Sequence, residues 1–145
     1  MKITILLSVL SFAGVLATFA GDKSNDPKDI QGTWLPVKAE LSGKPMPDEF
    51  LKKIISLKLD GGKYLVTAES LDKGTYTMDA AAKPRTIDIT GTEGPNVGKK
   101  IPAIYELNGD TLRICYNLGG GTHPTEFKSP AGTRIFLVTY QRAKT

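Results

Sequence analysis

Gly32-Thr33-Trp34, near the start of the chain, and Arg142, close to its end, decide how everything between them is read. A glycine, a spacer and a tryptophan open the first strand-forming stretch. An arginine stands in the last one. A guanidinium lies well on an indole face, and neither lysine nor leucine supplies that planar contact. If the two side chains meet, the first and last strands lie side by side. A sheet whose outer strands touch each other is closed. Such a contact would seal a barrel with the two ends of the chain, and Gly32, Trp34 and Arg142 would be its structural closure. It names no ligand and no reaction.

The sequence between these ends supports that reading. Gly32 to Glu40 reads as the first strand. Ile55-Ser56-Leu57-Lys58-Leu59 alternates apolar and polar residues, as do Gly74 to Met78, Thr86 to Thr90 and Thr111 to Tyr116. Period-two alternation marks a strand with one buried face. Asp60-Gly61-Gly62-Lys63 and Asn108-Gly109-Asp110 are tight hairpin signals. Tyr64-Leu65-Val66, Lys100 to Leu107 and Thr133 to Arg142 complete the strands. Asn117 to Gly132 is a long loop rich in glycine and proline. Pro47 to Ile54 reads as a short helix, with Asp48-Glu49 in its first turn and Lys52-Lys53 in its last, as the helix dipole favours. Asp26 to Ile30 reads as a helical turn. The fold class is then all-β: about eight antiparallel strands in an up-and-down barrel, with one short helix.

The first twenty residues stand apart. Met1-Lys2 gives a positive start, Ile3 to Phe19 is apolar, and Thr18-Phe19-Ala20 offers small residues where a signal peptidase reads. Residues 1–20 are expected to be a signal peptide and 21–145 the barrel domain. The protein is expected in the periplasm or secreted, with no stable membrane span after cleavage. Cys115 is the one cysteine, so no intramolecular disulfide forms and the core must carry the stability. The net charge is +4, with one of the positive residues, Lys2, in the leader. The basic residues are dispersed, without the basic face and interleaved aromatics of a nucleic-acid binder.

A series of motifs carries a family resemblance. Asp29 to Trp34, Gly43 to Pro47, Lys83 to Ile89, Ile104 to Cys115 and Pro124 to Phe127 together resemble an uncharacterised family of small planctomycete lipocalin-like domains. The resemblance implies a calycin-type barrel over the whole exported chain. It implies no catalytic residues, because that family carries no established activity.

Period two assigns the interior. Phe136, Val138 and Tyr140 share the face of Arg142. The matching faces hold Leu112, Ile114 and Tyr116; Ile101, Ala103, Tyr105 and Leu107; Ile87 and Ile89; Tyr76 and Met78; and Ile55, Leu57 and Leu59. Two readings stand open. In one, the barrel mouth holds a small apolar ligand, and Tyr76, Met78, Tyr105, Tyr116, Phe136 and Val138 are its binding residues. In the other, side chains fill the barrel, and rim loops bind an extracytoplasmic protein, as in an interaction or inhibitor domain.

Other chemistry is sparse. His123 is the single histidine and sits beside Glu126 in sequence. A structural ion pair between Glu126 and Arg113 is expected to pin the long loop, and Cys115 reads as a small buried side chain. No nucleophilic triad, phosphate loop or metal motif is present. The chain is read as a non-enzymatic binding module with no cofactor and no metal.

Overall fold

The computed structural model describes residues 25–144; the leader expected over 1–20 lies outside them. Two short helices, α1 (Asp26–Asp29) and α2 (Asp48–Lys53), accompany nine strands. These are β1 (Gly32–Leu41), β2 (Lys44–Pro45), β3 (Ser56–Asp60), β4 (Lys63–Thr67), β5 (Leu71–Asp79), β6 (Thr86–Glu93), β7 (Lys100–Asn108), β8 (Thr111–Asn117) and β9 (Ile135–Arg142). Each strand from β3 to β9 pairs antiparallel with the next, β1 pairs with β3, and β9 returns to β1. The result is a closed eight-stranded up-and-down barrel. The two-residue β2 only extends the hairpin that follows β1.

The expected closing contact forms. Trp34 stands opposite Arg142 across the β1–β9 pair. The Arg142 guanidinium carbon lies 4.3 Å from the centre of the indole. Gly32 makes room for it: its φ is +134°, and a Cβ there would come 3.0 Å from Arg142 Nη1. Arg142 also donates to the Asp29 and Gln31 carbonyls at the end of α1, at 2.7 and 2.9 Å. A cation in that position satisfies carbonyls that the helix leaves unpaired. Trp34 Nε1 donates to the Ile30 carbonyl at 2.8 Å, so α1 plugs this end of the barrel.

The core follows the alternation. Trp34, Tyr105, Ile87, Leu112, Ile114 and Val138 are almost completely buried inside the barrel. Ile55 corrects the pattern: it was expected inward with Leu57 and Leu59 but is 61% exposed. β3 begins only at Ser56, and the Ile55 N–H bonds the Thr67 carbonyl at the open rim. Ile54 faces inward in its place.

The long loop between β8 and β9 is a strap across the outside of the barrel. β7 and β8 carry buried residues on both faces, so Pro102, Ile104 and Cys115 are covered although they point away from the interior. Cys115 Sγ lies 3.5 Å from the Glu126 carbonyl and 3.7 Å from that of Lys128. Burial pushes its thiol above the usual range. The Arg113–Glu126 ion pair does not form. Arg113 instead donates to Glu106 at 2.9 Å, its cross-strand neighbour, and stacks 4.5 Å from the Phe127 ring centre. Farther along, His123 Nε2 meets Asp88 Oδ1 at 2.8 Å, which ties the strap to β6. Both side chains are close to half exposed, so the pair adds little stability.

Candidate functional site

The barrel is not filled. A cavity of about 250 Å³ occupies the half opposite α1. Ile54, Val66, Leu118 and Phe136 surround its mouth, and Leu57, Ile87 and Ile114 form part of its walls. α2 sits over that end. Phe50 meets Phe136 edge-on, with centroids 6.4 Å apart, and Leu51 packs against the core. The size lies between the ~150 Å³ that holds a benzene and the ~300 Å³ at which drug-sized pockets begin.

Three of the six residues expected to bind ligand line this cavity: Tyr76, Tyr116 and Phe136. Tyr116 and Phe136 stack with centroids 6.0 Å apart. Met78 is half-buried against the core, and Val138 is 1% exposed within the wall; neither is among the lining residues. Tyr105 points to the closed end. Its hydroxyl donates to Asp26 Oδ2 at 2.7 Å, and the same oxygen takes Arg85 Nη1 at 2.8 Å. Burial, then the bond to Asp26, raises the Tyr105 pKa far above that of a free phenol.

Two clusters at the cavity were not singled out from the sequence. In the first, the hydroxyls of Tyr116 and Tyr140 lie 2.8 Å apart in the core. Burial pushes Tyr140 up to about 12. Burial, the nearby Tyr140, and more weakly Tyr64 and Asp72, hold Tyr116 well above its ordinary value. In the second, Asp72 Oδ1 accepts the Tyr64 hydroxyl at 3.0 Å, and Asp72 Oδ2 accepts Asn96 Nδ2 at 2.6 Å. Asp72, Asn96 and Tyr64 all line the cavity. The local backbone explains the arrangement. Asp72, Gly74 and Tyr76 share the inward parity of β5. A Cβ on Gly74 would come 2.6 Å from the Tyr64 ring and would overlap the Thr90 carbonyl. The glycine therefore lets Tyr64 lie flat against β5 and reach Asp72. The loop after β6 supplies Asn96 from the tip read as Gly94-Pro95-Asn96.

The remaining tyrosine, Tyr76, turns its hydroxyl toward the β3–β4 turn, near Gly62 and Asp60. Burial raises its pKa as well. His123 and Asp88 lie on the outer wall, on the opposite face of β6 from Ile87 and Ile89. Among the described residues, no group of three His, Cys, Asp or Glu side chains is placed to hold a metal ion. No described helix is long and apolar enough to cross a membrane.

Comparison with protein-family models, curated proteins and solved structures finds no match for this chain.

Proposed function

We propose that this is an exported, non-enzymatic binding module that holds a small, mostly apolar molecule in its barrel mouth. The single observation that carries this reading is the cavity of about 250 Å³, apolar over most of its wall and polar at the Tyr64–Asp72–Asn96 cluster. Ligand sites have that character: an apolar pocket with a few placed polar groups. A closed eight-stranded barrel is a fold that can enclose such a space. Export to the periplasm or medium rests on the leader-like residues 1–20.

A second reading keeps the rim as the working surface. Ile55, Leu71 and Val97 are 61%, 49% and 59% exposed. They lie near one another at the open end: Ile55 bonds Thr67, Thr67 pairs with Leu71, and Gly94 of the next loop packs on the Leu71 carbonyl. Such a rim suits an extracytoplasmic protein partner.

Native mass spectrometry of the protein recovered from its own cells, with displacement of a fluorescent apolar probe, tests the first reading. A bound small molecule, or a probe displaced by small apolar compounds, supports it. An empty protein that binds no probe sinks it. A mature N-terminus at Gly21 or Asp22 supports export; an intact Met1 opposes it.

A further inference from the structure

We propose that the barrel cavity selects a cationic guest, an aryl or alkyl amine, through Asp72. This deepens the proposed binding role and rests on it. Asp72 is the one charged residue among those lining the cavity. Its carboxylate takes two hydrogen bonds, from Tyr64 and Asn96, one on each oxygen. A carboxylate offers about four acceptor positions, so each oxygen retains capacity for another donor. Among the described residues no lysine, arginine or histidine forms an ion pair with it. Its neighbour Lys73 reaches across to Glu93 instead, at 3.9 Å. The carboxylate thus faces an apolar space with neutral donors only.

The other aspartate bonded to a tyrosine shows what is missing. Asp26 has both a phenol and a guanidinium. Asp72 has the phenol and lacks the cation. Asp72 is half-buried at the edge of an apolar wall, and an incoming ammonium supplies the missing partner through charge-assisted hydrogen bonds. The tyrosine rings on the wall add faces that favour a cation. The same carboxylate repels a fatty acid or any other carboxylate guest. Scaling from benzene in a ~150 Å³ cavity, the space suits about ten non-hydrogen atoms.

Calorimetric titration near neutral pH with 2-phenylethylamine, 2-phenylethanol and phenylacetate provides the test. The amine is expected to bind about tenfold or more tighter than the alcohol, the worth of one charge-assisted bond, and phenylacetate more weakly than both. Asp72→Asn, which keeps the side-chain shape, is expected to bring amine and alcohol together. Amine and alcohol binding alike in the wild type overturns the inference and leaves the apolar pocket standing, as does an amine preference that survives in Asp72→Asn. Tighter binding of phenylacetate also overturns it. Failure of all three compounds, with no probe displacement, brings down the binding role itself. If the variant does not fold, the wild-type ranking of the three compounds still decides.

Discussion

The barrel carries a tyrosine–aspartate pair toward each end, and the two are built differently. At the closed end, Tyr105 and Arg85 both bond Asp26, the 7% exposed first residue of α1, in the plug that α1 makes with Trp34 and Arg142. Toward the mouth, Tyr64 bonds Asp72, which has no ion-pair partner among the described residues, and the carboxylate lines an open space. The first pair is a completed network, in which charge, hydroxyl and backbone carbonyls are all answered by protein groups. The second is half of one. The closed strand ring removes the sheet edges, and the mouth keeps acceptor capacity that a guest can use.

Alkaline pH erases the contrast, because it attacks both ends together. All five tyrosines have raised pKa values, burial being the first cause in each. The folded protein therefore keeps protons that the unfolded chain, titrating near 10.0, gives up. Stability from this source is complete below pH 10 and falls as the pH climbs past it. Phenolate absorbance is expected to appear together with loss of the β-sheet circular dichroism. Smooth titration of the tyrosines around pH 10 with the sheet intact would contradict the buried network.

Trp34→Ala breaks the closed end alone. Removing a fully buried indole costs about 3–5 kcal/mol, and here it also strips the stacking surface from Arg142. Denaturant unfolding should show a lowered midpoint. A midpoint within error of the wild type would mean that the seam does not hold the barrel.

The two tyrosines compare the ends directly. Tyr105→Phe leaves the buried Asp26 short of a donor and is expected to cost about 1–3 kcal/mol. Tyr64→Phe, beside a carboxylate at the open space, is expected to cost less, about 0.5–1.5 kcal/mol, while changing ligand binding more. Equal costs in urea unfolding, with equal effects on binding, would show that the two ends are not distinct. The smallest effect is expected from His123→Ala. It removes a half-exposed pair and should change stability by about 1 kcal/mol or less. A larger loss would mean that the strap is part of the barrel's cooperative unit.

The closed end was more legible in the sequence than the mouth. Gly32, Trp34 and Arg142 are distinctive residue types in the first and last strands, and the resemblance to lipocalin-like barrels suggested that they meet; the register Trp34–Arg142 came only from the structure. Strand alternation then placed Tyr116, Phe136 and Val138 on the inner wall. Asp72 escaped because the strand was read from Gly74, where alternation becomes regular, although counting back by two from Tyr76 passes through Gly74 to Asp72. Asn96 had no such signal, since a loop tip has no period to fix its direction. Asp26 lay in a polar lead-in, and its partner Tyr105 is 79 residues away. The ion pair assigned to Glu126 failed for a local reason: Glu106 stands directly across from Arg113 on the adjoining strand and takes the guanidinium first.

The strap gives the molecule a built-in clock. Cys115 is wholly buried behind it, on the outside of the barrel wall rather than in the interior. A thiol reagent can therefore reach it when the strap lifts, without the sheet coming apart. The labelling rate of this single thiol, set against the rate of global unfolding, times how often the outer covering opens while the barrel stays shut.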